Sequence, residues 1–186
     1  MKKKVLISIP AYNESENIFP LYEKISSVLK NKREEIDFEI LFIDDGSTDG
    51  SVETIIDLMN VTDDVSLIEL SRNYGKEVAM TAGFDYADHD AVITMDADLQ
   101  HPPETILKMV DLWEKGYEDI YAKRNKRKGE PWFKKLFSRW FYKILERLSN
   151  TPVLADAGDF RLLDRKVITA LRQLRETQRY TKGLYN

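Results

Sequence analysis

The sequence predicts an α/β fold, in which helices flank both faces of a mostly parallel sheet. Three strand-length apolar runs, near residues 5–9, 39–43 and 91–95, each lead directly into polar residues. A helical pattern then follows each run, as is typical of strand–helix units in a parallel sheet. The 186 residues suffice for one domain with a substantial core. We therefore expect a single doubly wound domain over residues 1–186.

Strands and helices are predicted to alternate up to about residue 122. The strands are expected near 5–9, 39–43, 65–70, 91–95 and 119–122. The helices are expected near 15–31, 51–60, 75–87, 103–115, 131–149 and 164–174. Asn13 or Ser15 can cap the first helix. Pro102 and Pro103 suit the start of the fourth, because the first helical positions need no amide donor.

Polar clusters follow three of the predicted strands, at 10–14, 44–50 and 96–98. Ligands bind beyond the carboxyl ends of the strands in such sheets, so these clusters should converge on one crevice. Asp96 and Asp98 repel each other unless a cation lies between them or one takes up a proton. The pair therefore predicts a site for Mg²⁺ or Mn²⁺, completed by a substrate phosphate. Two solvated loop aspartates are the alternative interpretation.

Composition excludes several classes of protein. The chain has no cysteine, which excludes disulfides and thiolate metal sites, and its two histidines disfavour a zinc site. The apolar run after the basic Met1–Lys4 start is about five residues, too short for a signal peptide. No run approaches the roughly 20 apolar residues of a membrane span. The chain as given is therefore expected to be soluble and cytoplasmic.

Charge divides the chain into two unequal halves. Residues 1–122 hold 11 basic and 26 acidic residues, a balance of -15, whereas residues 123–186 hold 17 and 6, a balance of +11. In the basic half, aromatic and aliphatic residues of 131–149 fall on one helical face between lysines and arginines. This composition predicts a basic amphipathic helix in a membrane interface, with a core-packing helix as the alternative. Nucleic acid is disfavoured because no nucleic-acid module is present.

Five motifs occur in order along nearly the whole chain. They are Ile9–Glu14, Asp44–Gly50, Arg72–Glu77, Asp96–Glu104 and Gly158–Leu162. Together they resemble the motifs of family 2 glycosyltransferases of the GT-A fold. Within that family, the chain looks most like the branch with dolichol-phosphate mannose synthases and bactoprenol glucosyltransferases. The resemblance implies a nucleotide-sugar-binding half over 1–122 and an acceptor- and membrane-facing half over 123–186.

The resemblance also assigns roles to individual side chains. The donor nucleotide sugar would be bound by Pro10, Tyr12, Asn13, Glu14, Asp44, Asp45, Lys76, Asp96 and Arg124. The metal would be coordinated by Asp96, Asp98 and Gln100. Lys135 and Arg161 match basic positions near an acceptor phosphate. Asp159 matches a candidate catalytic base, although a helix cap or an ion pair with Arg161 would equally account for it.

The implied reaction is a metal-dependent transfer of a sugar from a nucleoside diphosphate to a polyprenyl phosphate, with inversion. It would take place at the cytoplasmic face of a membrane. Relatives of this branch continue into membrane helices, so we expect the chain to be the catalytic domain of a longer, membrane-anchored protein. The donor base, the sugar and self-association are left open by the sequence.

Other functions fit the sequence less well. The nearest alternatives are transfer to a polysaccharide or protein and a non-catalytic sugar-nucleotide-binding module. A receiver-like signalling domain would have its acidic pair after the first strand, where Pro10 and Tyr12 stand instead. A nicotinamide dehydrogenase is disfavoured because no G-x-G-x-x-G follows that strand.

Overall fold

The computed structural model describes residues 2–123 and 157–173. Their strands are β1 (Lys3–Ala11), β2 (Ile36–Asp44), β3 (Val65–Glu69), β4 (Ala91–Thr94), β5 (Asp119–Lys123) and β6 (Ala157–Asp164). Their α-helices are α1 (Ser15–Leu29), α2 (Ser51–Met59), α3 (Lys76–Tyr86), α4 (Glu104–Glu114) and α5 (Arg165–Gln173). A short 3-10 helix, Lys32–Glu34, precedes β2. In the described ranges, no helix is both long and apolar enough to cross a bilayer.

All six strands form one sheet in the order β3-β2-β1-β4-β6-β5. The first four are parallel, whereas β6 runs antiparallel to both of its neighbours, β4 and β5. The α/β prediction is thus confirmed, with helices against a mixed sheet. Strand β6 was missed, because its polar residues Asp159 and Arg161 alternate with Phe160 and Leu162 and no long apolar run marks it.

The sheet separates two apolar layers. Val5, Ile7 and Ile9 of β1 face the layer that contains α1 and α4, and Leu6 faces the layer that contains α3 and α5. Strand β1 is therefore apolar on both faces, as central strands of such sheets are. Helix α1 buries one stripe at helical spacing: Ile18, Leu21, Ile25 and Leu29.

The strand order reverses between β1 and β4, and this reversal positions the site. From β1 the chain runs outward to β2 and β3, then returns to add β4 on the other side of β1. Ser8 pairs with Thr94, so the carboxyl ends of β1 and β4 lie side by side. A crevice opens at such a switch point, because the connections that follow the two strands diverge.

Gly46 allows two connections to approach closely beyond β2. Its φ of +72° is in the left-handed region. A β-carbon there would lie under 3.0 Å from backbone atoms of Arg72 and Asn73, which precede α3. Only glycine satisfies both the dihedral angle and the contact.

We expect Gly46→Ala to destabilise the protein more than Gly116→Ala does. Gly116 also has a positive φ, of +96°, but a β-carbon there would meet nothing within 4 Å. The control should therefore lose only the roughly 1–2 kcal/mol of a left-handed alanine, and Gly46→Ala should lose more because backbone must move. Urea unfolding of both variants measures the difference. Equal losses of unfolding free energy in the two variants would mean that the backbone at residues 72–73 moves aside at little cost.

Candidate active site

Hydrogen bonds join the connection after β1 to the connection after β2. The Asn13 N–H donates to Ser47 Oγ at 2.9 Å, and the Thr48 N–H donates to Asn13 Oδ1 at 2.9 Å. Asn13 accordingly has a φ of 55°, which asparagine tolerates better than most residues. Two further N–H donors, Glu14 and Ser15, reach Ser51 Oγ and Asp49 Oδ2. These contacts fix the crevice wall on which Tyr12 and Glu14 lie.

Asp44 and Asp45 are both buried and hold the backbone around them. Asp44 Oδ2 accepts the N–H groups of Gly46 and Ser47, at 3.0 and 2.9 Å. Asp45 accepts the Tyr74 N–H at 2.7 Å and the Gly75 N–H at 2.8 Å. Asp45 therefore positions the residues that lead into α3. The predicted binding of nucleotide by these two aspartates stays a prediction.

Asp96, Asp98 and His101 form a cluster after β4 in which one ligand atom of each lies within 4.8 Å of the others. Leu99 turns the chain between them with a φ of 59°. This turn brings His101 back, and its Nε2 lies 3.5 Å from Asp96 Oδ2. The His101 ring also contacts Phe160, with a centroid separation of 4.9 Å. Carboxylates suit Mg²⁺ and Mn²⁺, and imidazole is a common ligand of divalent transition metals, so the donor set fits a divalent cation.

Gln100 was predicted as a metal ligand, but His101 was not. The Gln100 side chain is exposed, while its N–H donates to Asp98 Oδ1 at 3.0 Å. The prediction for Gln100 remains untested. The sequence analysis used the two histidines only to disfavour a zinc site and gave His101 no role, although a histidine three residues after Asp98 was a usable signal.

Lys76, the first residue of α3, bridges two carboxylates. Its Nζ lies 2.5 Å from Asp96 Oδ1 and 2.7 Å from Asp159 Oδ2. Burial lowers the pKa of Lys76, but the hydrogen bonds to Asp159 and Asp96 outweigh it and leave the pKa above its ordinary value. Burial likewise raises the pKa of Asp96, but His101 and Lys76 outweigh it and hold the pKa at about 2. Lys76 and Asp96 are thus both charged near neutral pH.

Strand β6 brings Asp159 to the crevice. Thr94, at the end of β4, donates its hydroxyl to the Asp159 carbonyl and is itself buried. Asp159 is therefore fixed beside Asp96 although 63 positions separate them in sequence. Sequence reasoning proposed Asp159 from motif order alone and did not identify Thr94 as its support.

The crevice has a volume of about 320 Å³ and is lined by Pro10, Ala11, Tyr12, Glu14, Asp45, Asn73, Gly75, Lys76, Asp96, Ala97 and Asp98. The structure thus brings together most of the residues predicted to bind the donor. Among these described lining residues, four are acidic and only Lys76 is basic. Added positive charge would therefore favour the binding of an anionic ligand in this crevice.

Some of the residues predicted to bind the donor or the acceptor phosphate are not described. Arg124, Lys135 and the predicted helix 131–149 lie outside the described residues. Arg161 is 1% exposed, and its Nη1 lies 3.3 Å from Asp119 Oδ2 on β5. Burial raises the pKa of Asp119, and the charge of Arg161 partly offsets this. In this structure, therefore, Arg161 joins β5 and β6.

Comparison with known proteins identifies the family. The model of glycosyl transferase family 2 matches residues 6–172. The chain belongs to glycosyltransferase family 2. It is 43% identical over 185 residues to an uncharacterized glycosyltransferase of Synechocystis sp., covering 100% of the chain and 58% of the relative. It is 36% identical to the bactoprenol glucosyl transferase of Shigella phage SfV, covering 97% of the chain and 58% of the relative. The chain thus spans little more than half of each.

Solved structures of lower identity share the GT-A fold. A mannosyltransferase from Pyrobaculum calidifontis, in complex with GDP-Man and Mn²⁺, aligns with a TM-score of 0.63 and 20% identity. The alignment covers 92% of this chain and 47% of that one. Glucosyl-3-phosphoglycerate synthase from Mycobacterium tuberculosis, in complex with Mn²⁺ and UDP, aligns with a TM-score of 0.60 and 17% identity, covering 89% and 58%. The fold class predicted from the sequence is confirmed.

We expect the Asp49 contacts to stabilise the fold in a pH-dependent way. Burial raises the pKa of Asp49, but hydrogen bonds from Ser51 and Ser15 outweigh it and lower the pKa from 3.8 to about 2. A carboxyl group with a depressed folded-state pKa stabilises the fold above its unfolded pKa and loses that effect as pH falls. Asp49→Asn should therefore be less stable than wild type at pH 7, and the deficit should shrink below about pH 3.8.

Urea unfolding at a series of pH values measures this deficit. Asp57→Asn, an exposed position on α2, is the matched control and should show no such deficit. A deficit for Asp49→Asn that stays constant down to pH 3 would contradict the assigned role of its charge.

Proposed function

We propose that this chain transfers a sugar from a nucleoside diphosphate donor to a polyprenyl phosphate, using Mg²⁺ or Mn²⁺. The observation that carries the proposal is the cluster of Asp96, Asp98 and His101 at the switch point of the sheet. Membership of family 2 supports glycosyl transfer as the reaction class. The donor would lie in the crevice with its nucleoside against Tyr12 and its diphosphate toward the cluster.

A cation on the acidic cluster and the Lys76 ammonium would together offset the negative charge of the donor diphosphate. Asp96 and Asp98 would hold the cation with His101, and the bound cation would act as a Lewis acid toward the departing nucleoside diphosphate. Lys76 lines the same crevice and can place its ammonium against a donor phosphate. Loss of the leaving group is the costly part of the reaction, because negative charge grows on the diphosphate.

The second part of the proposal concerns the identity of the acceptor. Relatives at 36% identity are named bactoprenol glucosyl transferases, which supports a polyprenyl phosphate here. A phosphate oxygen is already anionic near neutral pH and needs no strong base, unlike a sugar hydroxyl. Asp159 Oδ2 already accepts a hydrogen bond from the Lys76 ammonium at 2.7 Å, so this oxygen has a partner other than the acceptor. Asp159 would thus orient the acceptor rather than deprotonate it.

The reaction would take place at the cytoplasmic face of a membrane, where polyprenyl phosphates present their headgroups. Segment 131–149 is basic and rich in aromatic residues, a composition suited to binding at a membrane surface. It lies outside the described residues, so its contact with lipid rests on sequence alone. Binding of the full chain to anionic vesicles would test it.

We expect Asp98→Asn to remove the metal dependence of nucleotide binding. Wild type should bind UDP or GDP more tightly with Mn²⁺ than without it, because the cation neutralises the acidic crevice. In the variant this gain should fall by more than about tenfold, since a metal ligand is lost. The asparagine carbonyl can still accept the Gln100 N–H, so the turn should persist. Isothermal titration calorimetry measures both affinities.

Asp111→Asn is the matched control for this experiment, since Asp111 is exposed on α4, away from the crevice. It should retain the full gain from Mn²⁺. If Asp98→Asn retained that gain as well, Asp98 would not be a metal ligand.

We expect label from a radioactive donor sugar to enter an organic extract only when a polyprenyl phosphate is supplied. The donors to compare are UDP-glucose, UDP-N-acetylglucosamine and GDP-mannose. Vesicles with the neutral polyprenol are the matched control, because they lack the anionic oxygen. Label in an aqueous polysaccharide or protein fraction would favour those acceptors instead. Donor binding with no transfer to any acceptor would favour a non-catalytic binding module.

A further inference from the structure

Lys76 supplies a positive charge at the point where the site would hold a divalent cation. Its Nζ contacts Asp96 Oδ1, while Asp96 Oδ2 faces His101. The ammonium and a metal ion on this cluster would therefore share one carboxylate. Two cations on opposite oxygens of the same carboxylate repel each other, and each weakens the hold of Asp96 on the other.

The backbone at Lys76 is fixed by its surroundings, whereas its side chain can move. Asp45 accepts the N–H groups of Tyr74 and Gly75, which sets the start of α3. Asp159 provides a second carboxylate at 2.7 Å, and its carbonyl is held by Thr94. Lys76 is 37% exposed through its side chain, so its flexible stem can swing toward a ligand in the crevice.

We propose that Lys76 makes metal binding depend on the nucleoside diphosphate, by occupying Asp96 until a diphosphate offers its ammonium another anionic partner. With no diphosphate, the metal must compete with the ammonium for Asp96 and binds weakly. With a diphosphate, Lys76 moves its contact to the phosphate, and Asp96 becomes fully available to the metal. Donor and metal then bind cooperatively, and by linkage each raises the affinity of the other by the same factor.

This inference rests on the proposed function, because it assumes a metal-assisted nucleoside diphosphate site. It goes beyond that function by assigning Lys76 to the coupling between the two ligands. A role for Lys76 only in packing predicts a loss of stability and no change in coupling. A role only in donor contact predicts weaker nucleotide binding and unchanged affinity for Mn²⁺ alone.

The test compares wild type with Lys76→Met and Lys76→Arg. Mn²⁺ affinity is measured by electron paramagnetic resonance of the free ion, alone and with saturating UDP or GDP. In Lys76→Met, affinity for Mn²⁺ alone should rise about tenfold, and the coupling factor should fall about tenfold, within the usual range of such couplings. Lys76→Arg keeps the charge and should retain most of the coupling. Lys108→Met, an exposed site on α4, should match wild type.

The outcomes separate this inference from the proposed function. If wild type gains no UDP or GDP affinity from Mn²⁺, the proposed function fails. If wild type shows the gain and Lys76→Met leaves both Mn²⁺ affinity and coupling unchanged, only the role of Lys76 is overturned. Each variant is first checked for a cooperative thermal transition. Should Lys76→Met lack one, Lys76→Gln takes its place, since it also removes the charge and retains a polar end.

Discussion

The site is governed by repulsion among carboxylates gathered at one edge of the sheet. Parallel strands direct all their carboxyl ends to the same edge, so the acidic residues after β1, β2 and β4 meet there. Asp96 would be costly beside Asp98 without compensation. Lys76 and His101 offset part of the negative charge at Asp96. Further positive charge would favour the binding of an anionic ligand there. The topology of the sheet thus brings these carboxylates together, and the proposed metal site depends on their combined negative charge.

The motifs that identify the family divide into two kinds of residue. Asn13 and Asp49 use their side chains to bind backbone N–H groups of neighbouring connections. Tyr12 and Asp98 instead line the crevice. A residue that belongs to one of these motifs therefore need not contact a ligand. Much of this motif set stabilises the loops that carry the few side chains facing the ligand.

The sequence predicted most of the fold and only part of the site. Apolar runs located β1, β2 and β4 because buried strands need them, but β6 has no such run and was missed. The Asp96–Asp98 pair was predicted because two neighbouring carboxylates indicate a cation. The Lys76 bridge could not be predicted, because it depends on the distance between α3 and β6. His101 joins the cluster only through the left-handed turn at Leu99, which residue type alone does not indicate.

The register of the last two strands has a consequence for the position of Asp159. Lys123 on β5 pairs with Ala157 on β6, so two residues that lie 34 positions apart in sequence are neighbours in the sheet. Asp159 follows two residues after this pair, and Asp164 at the other end of β6 pairs with Ala91 of β4. The ladders on both sides of β6 therefore act as a template that sets where the Asp159 backbone lies.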